Sequence, residues 1–325
     1  MSLQERIRFK SFNEWHNFIN SKVAAKTPPQ GQELLDLRNK CYEEIEQLRK
    51  RPLLIYAAKF DVPVQPNIIA PNSIDLGDID GFTDLVNSIA NLEEKCIDIL
   101  IHSPGGKADA TERIVNILRK RFEEVHFLIP HSAYSAATML SLSGNSITLH
   151  SSATLGPIDP QINGIPARSI KRGFEKVKEI LKKEGPEAIP AYIPLIQKYS
   201  IELLELCEDS EKLSKDLVTE WLNEYMFKGK ENVSEKINGV VDYVSNYDEH
   251  LLHSRPLKMD RLKEFDIIID FAKDELKDLL WEAHIMIDGF FGLTNFVKLY
   301  ETRHGVSWGK QFQINIAPQQ LPPVN

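Results

Sequence analysis

Three short stretches hold residue types that could do chemistry together. In the first, His102-Ser103-Pro104-Gly105-Gly106, two adjacent glycines follow an apolar run and precede a helical pattern. Without a Cβ in the way, backbone amides can face open space there, and the positive end of the following helix points the same way. Such a turn can hold an oxyanion, or it can be a plain strand-to-helix connection. It is not a phosphate loop, since the chain has neither GxxxxGK[ST] nor GxGxxG. In the second stretch, Ser132-Ala133-Tyr134-Ser135-Ala136-Ala137-Thr138, Ser135 lies between small residues at the mouth of an apolar helix. A helix N-terminus favours developing negative charge and small neighbours leave room for substrate, which suits a nucleophile. Serine is also a preferred N-cap, so capping is the competing reading. The third stretch, Leu155-Gly156-Pro157-Ile158-Asp159-Pro160-Gln161, sets an acid between two prolines, as a rigid loop beside a site or as an ordinary turn.

The elements around these stretches alternate. Leu53 to Ala58 is a short continuous apolar run, as expected of a strand buried on both faces. Helical spacing at Phe82, Leu85, Val86, Ile89 and Leu92, an apolar run at 97–101, helical spacing at Ile114, Val115 and Leu118, and a run at 125–129 follow. This order predicts an α/β fold with largely parallel pairing. The glycine turn and Ser135 then fall at two strand-to-helix junctions about thirty residues apart. Before this unit, Leu37, Cys41, Ile45 and Leu48 mark an amphipathic helix ending near Arg51-Pro52, and the first thirty residues read as a peripheral arm. After it come helices over 169–183, up to about Asp209, and over 215–227. A short strand at 267–269, a helix to about Gly289 and a disordered tail over the last ten residues complete the reading. The domain expectation is an N-terminal arm and helix over 1–52, a catalytic unit over 53–245 and a mostly helical extension over 246–325.

In this order and at these separations, His102 to Gly106, Ser135 to Thr138 and Leu155 to Gln161 resemble the serine dehydrogenase proteinase family of the Clp/crotonase superfamily, related to signal peptide peptidase A. The resemblance covers about Leu34 to Leu252, with a weaker echo at His253-Ser254-Arg255-Pro256. It implies a Clp/crotonase-type spiral of ββα units with flanking N- and C-terminal helices, and a homo-oligomer, trimeric or hexameric. It places Ser135 at the nucleophile position and the amides of Gly105, Gly106 and Ala136 around the oxyanion. Asp159 and His253 are supporting candidates. Ala137 stands where the family carries glycine, adding a methyl beside the nucleophile, and Ser132 is a competing serine outside the aligned segment. The proton acceptor must be an imidazole or a lysine held neutral by desolvation. The loop after the nucleophile helix has no histidine beyond His150, so the resemblance favours a Ser-Lys dyad. Lys171, Lys176, Lys178, Lys182 and Lys183 are candidates; Lys171 is preferred because it follows the Asp159 loop most closely, the others reading as a solvated helix face.

The expected reaction is therefore serine-type hydrolysis of peptide bonds, with no cofactor. The alternatives are a crotonase-like enzyme of acyl-CoA thioesters, in which the oxyanion hole holds an enolate, and an idle scaffold that binds peptides or proteins. Composition narrows the partners. The 325 residues carry 39 basic and 47 acidic side chains, a net charge of −8 that gives no reason to expect nucleic acid. No run of about 18 apolar residues and no leader pattern is present, so the expectation is a cytoplasmic protein without stable membrane insertion. Cys41, Cys96 and Cys207 form neither a CxxC pair nor a disulfide framework. His102, His131, His150, His250 and His253 match no HExxH-type spacing and are assigned to structure or hydrogen bonding, with no metal expected.

Overall fold

In the run Leu53–Ala58 (β1), successive side chains serve opposite faces of a sheet, and both faces are covered. Leu53, Ile55 and Ala57 join one apolar cluster and Leu54 and Tyr56 the other, which is the period of two expected of a strand. The same division recurs in Cys96–His102 (β2) and Glu124–Ile129 (β3), where Leu100 and Leu128 face one cluster and Ile99, Ile101, Phe127 and Ile129 the other. A computed structural model of the chain describes residues 6–62, 68–91, 93–196 and 199–314.

Two short strands follow the longer ones: Ser132–Ala133 (β4) after β3, and Thr154–Leu155 (β6) after Ser146–Leu149 (β5). Further on come Ile269–Phe271 (β7), Phe296–Thr302 (β8) and Val306–Gln311 (β9). The seven-stranded sheet has the order β7-β5-β3-β2-β1-β8-β9, with β7 to β1 parallel and β8 and β9 antiparallel. Asp78–Asn87 (α3), Ala108–Arg121 (α4) and Ala136–Leu142 (α5) make the connections between the parallel strands. A long strand, a short second strand or bridge and then a helix is the repeating unit, the ββα spiral the motifs led us to expect. Ala167–Glu184 (α6), Ile201–Trp221 (α7) and Ser234–Ser245 (α8) pack on the α5 side. Phe12–Ala24 (α1), Gly31–Arg49 (α2) and Asp274–Leu293 (α9) cover the other face.

Three readings of the sequence change here. The N-terminal segment is not a peripheral arm: Trp15 is buried and its indole lies where a Cβ on Gly289 of α9 would have to go. The residues read as two helices, one to about Asp209 and one over 215–227, include a single helix, α7, that runs through Ser210 to Ser214 and ends in a π-helical turn over Leu222–Met226. The region after 246 is not a separate helical extension: besides α9 it supplies β7, β8 and β9 to the sheet that β1 begins. The tail read as disordered lies outside the described residues.

Buried charges tie this late region to the rest. Lys298 of β8 reaches Asp78 at the start of α3 (2.6 Å), and both side chains are fully buried. The Tyr56 and Tyr300 hydroxyls also donate to Asp78. Burial pulls the Asp78 carboxyl up, but the Lys298 ammonium and these donors more than offset it and hold it below its ordinary value. Glu301, next along β8, accepts a two-pronged pair from buried Arg38 of α2 at 2.8 and 2.6 Å.

Candidate active site

The three motif stretches meet in one small ladder at the carboxyl ends of the sheet strands. The Ser103 amide donates to Ser132 O (3.0 Å) and the Tyr134 amide to Ser103 O (3.1 Å), which joins the glycine turn to the Ser135 segment. β4 pairs in parallel with β6, and the Gly156 amide donates to Ala133 O (2.9 Å), which joins the Ser135 segment to the Asp159 loop. Thr138 Oγ1 lies 2.8 Å from both Ala133 O and Gly156 O, which share its one hydroxyl proton, and so fastens α5 to both. On the far side, Leu257 N donates to Leu155 O (2.8 Å), bringing the 253–256 segment onto the same ladder.

Ser135 does not cap α5. Its hydroxyl accepts no hydrogen bond from the helix amides, and its backbone is left-handed, at φ 53° and ψ −123°. A non-glycine residue held there carries strain of about 1–3 kcal/mol, and such strain clusters at functional sites. The half-buried side chain opens into a recess of about 660 Å³ with Gly106, Lys107, Met139 and Ile158, under Leu206 and Leu213 of α7.

Gly106 lines the same recess, and Ala136 follows Ser135 as the first residue of α5. Ile74 pairs with the glycine turn by donating to Gly105 O (2.7 Å) and accepting from Lys107 N (2.9 Å). Since successive amides of an extended segment face opposite ways, the Gly106 N–H faces away from Ile74. Ala136 opens α5, where the first amides have no partner inside the helix; the next, Ala137 N, is already taken by Tyr134 O (2.9 Å). The Gly105 amide differs from these two: it donates to Ser103 Oγ at 3.1 Å. Gly105, at φ 96°, instead allows the close approach of the turn to Ser135. The extra methyl of Ala137 is fully buried in the core cluster and does not line the recess. Ser132 is buried, and its hydroxyl bonds His131 Nδ1 at 2.8 Å.

Lys171, in the first turns of α6, donates to Glu211 of α7 at 2.9 Å. Both line a neighbouring recess with Arg168, Lys215 and Asp242, and the two recesses share Pro160 and Ser214 as a wall. No hydrogen bond joins Lys171 to Ser135 among the described residues. An ion-paired ammonium has no lone pair, so Lys171 must leave Glu211 and give up a proton before it can accept one, and the spacing that singled out Lys171 gave no sign of a partner forty residues away. Lys107, which the sequence did not single out, lines the Ser135 recess itself. Asp159 and His253 are brought together: buried Asp159 bonds His253 Nδ1 at 2.9 Å through one oxygen and Gln161 Nε2 at 2.8 Å through the other. This pairing clamps the loop that borders Ser135.

His102 ends β2, His131 and His150 come just after β3 and β5, and all three gather on the face covered by α9. His284 lies 5.0 Å from His102 and 4.5 Å from His131 between ring centroids, and His150 stacks on Trp281 at 5.1 Å. Burial, reinforced by the neighbouring imidazoles, pushes His284 down to about 2, and burial with His131 pushes His102 down to about 3. Both rings are neutral at pH 7. His250 bonds Tyr243 O at 2.6 Å.

No helix among the described residues is long and apolar enough to cross a membrane. Residues 31–272 match the family described as ClpP-like SDH-type serine proteinase. Two uncharacterized proteins of Methanocaldococcus jannaschii are similar in sequence. One is 30% identical over 140 residues, 41% of this chain and 48% of that protein. The other is 37% identical over 84 residues, 26% of this chain and 29% of that protein. The chain thus spans about half or less of the curated relatives it matches. Among solved structures, a membrane-bound stomatin-specific protease is 17% identical, covering 62% of this chain and 76% of that chain at a TM-score of 0.37. The ClpP protease catalytic domain from Plasmodium falciparum is 14% identical, covering 72% and 91%, also at 0.37. Scores this low carry no argument about mechanism.

Proposed function

The chain belongs to the ClpP-like SDH-type serine proteinase family, and from that premise we propose that it hydrolyses peptide bonds with Ser135 as nucleophile. The observation that carries this reading is the Ser135 backbone, strained and uncapped, at the mouth of a recess that Gly106 also lines and at the start of α5. In the proposed reaction, Ser135 Oγ attacks the carbonyl carbon and its proton passes to a lysine amine. The oxyanion that forms is held by the N–H groups of Gly106 and Ala136, a donor pair of which each member typically contributes about 2.7–4 kcal/mol. The lysine returns the proton to the leaving amine, and water then releases the acyl group by the same route. Lys171 is the base in this reading, acting once its pair with Glu211 has opened across the wall at Pro160 and Ser214 and its ammonium has given a proton to solvent.

The test uses a fluorophosphonate probe and a fluorogenic casein. Ser135→Ala should abolish labelling and hydrolysis together. Lys171→Ala should slow both by about 10²–10⁴, the usual contribution of a positioned base, while Lys107→Ala stays near the wild-type rate. The opposite pattern would move the base to Lys107. Labelling that survives Ser135→Ala would overturn the nucleophile.

A further inference from the structure

At the opposite end of the sheet from Ser135, three side chains converge that the reaction does not use. Cys96 begins β2 and Glu124 begins β3, paired directly across from one another in the parallel ladder. His126, two residues beyond Glu124, projects from the same face because strand side chains alternate. One Glu124 oxygen is the meeting point: Cys96 Sγ lies 3.5 Å from it and His126 Nε2 3.3 Å. The donor atoms of all three residues lie within 4.8 Å of one another, and among the described residues no other group of three histidine, cysteine or carboxylate side chains does so. A zinc-type ion with bonds of about 2.0–2.3 Å to O, N and S sets tetrahedral edges of about 3.3 Å for N to O and about 3.5 Å for S to O. The two measured edges match those spacings.

The surroundings suit such an ion. His126 Nδ1 is 2.7 Å from Ser146 Oγ, on the next strand in register, so a hydroxyl is in place to fix the ring with Nε2 toward Cys96 and Glu124. Asp98, on the same face, is already claimed by Arg49 and Arg51 and is not a ligand candidate. Burial, with the Glu124 carboxylate, pushes the Cys96 thiol up to about 11 against the opposing charge of Arg51, so an incoming metal has to displace its proton. Cys96 is half-buried and Glu124 exposed, which leaves an open side for a water as fourth ligand.

We propose that Cys96, Glu124 and His126 bind a borderline divalent cation, zinc by preference, which clips the first residues of β2 and β3 together. A mixed S, N and O donor set selects this class over calcium or magnesium, which take oxygen ligands. On binding, the Cys96 thiol gives its proton to solvent, the sulfur–metal bond forms, and no oxidation state changes.

Hydrogen bonding to Glu124 alone would also hold the three together, and a cobalt titration separates the cases. The full chain, stripped with EDTA, is titrated with cobalt(II). One equivalent should give a thiolate-to-cobalt charge-transfer band, and zinc should bleach it. Cys96→Ser should remove the band, and Ser146→Ala should weaken binding by about 10–100-fold. On the wild-type chain, one equivalent of zinc should protect Cys96 from iodoacetamide in a peptide map, a readout that needs no variant to fold. Absence of the band, a band that persists in Cys96→Ser, or unprotected Cys96 at saturating zinc would each overturn the proposal.

Discussion

A Cβ placed on Gly105 would lie 2.7 Å from the Cβ of Ser135 and 2.3 Å from the carbonyl oxygen of Tyr134. Neither neighbour can give way, since the Tyr134 amide is bonded to Ser103 and α5 starts at the next residue after Ser135. Gly105→Ala must therefore move the nucleophile segment away from the turn, separating Ser135 from the Gly106 amide. Casein hydrolysis should fall by about 10²–10³, comparable to removing an oxyanion donor. Gly31→Ala, whose Cβ meets nothing within 4 Å, should leave activity unchanged.

In the proposed reaction, stability and activity oppose each other at Ser135. Glycine adopts φ 53° without penalty, so Ser135→Gly should stabilise the fold by about 1 kcal/mol while abolishing probe labelling. Urea midpoints for this variant and wild type measure the difference. A lower midpoint would show that the backbone there carries no strain.

The buried imidazoles make the fold acid-sensitive. His284 and His102 are held near 2 and 3 in the folded chain by burial and return to about 6.5 on unfolding. The unfolded state thus binds more protons throughout that interval, and the stability these neutral rings confer is complete above pH 6.5 and is lost as pH falls toward 3. Each contributes a slope of about 1.4 kcal/mol per pH unit well inside the window. Urea unfolding at pH 7, 6 and 5 should show the decline, and His284→Phe should make it shallower. An unchanged slope in that variant would remove His284 from the account.

Removing one partner of the Asp78 and Lys298 pair leaves a buried charge. Lys298→Met should cost about 3–5 kcal/mol, because Asp78 loses its fully buried counter-ion and keeps the tyrosine hydroxyls, the Asp75 amide at 2.9 Å and the half-buried Lys310 at 3.1 Å. Adding Asp78→Asn should recover part of the loss. Calorimetric unfolding of the three proteins checks both the size and the recovery.

How much of this was legible in the sequence depended on whether a residue's partners were local. β1 was read to its end residues because every side chain in it is apolar, and such a run has few other uses. The three motifs were found because each is contiguous. β8 was missed because Lys298 and Glu301 interrupt its apolar pattern. Their burial is made tolerable by Asp78 and Arg38, which lie 220 and 263 residues away. The clamp between Asp159 and His253 joins residues the sequence had named as supporting candidates without linking them. For Ser135, capping and nucleophile readings share the same letters. A backbone angle and a missing capping bond tell them apart, and neither is written in composition or spacing.

The match to known proteinases stops at residue 272, whereas the strand that flanks β1 begins at Phe296. A fragment trimmed to the recognisable segment would present β1 as a bare, wholly apolar edge, with Asp78 stranded beneath it. Such an edge is a template for pairing with other chains, so the trimmed piece should aggregate where the longer one stays dispersed. What similarity delimits as a unit of inheritance is thus shorter than what the chain needs as a unit of folding.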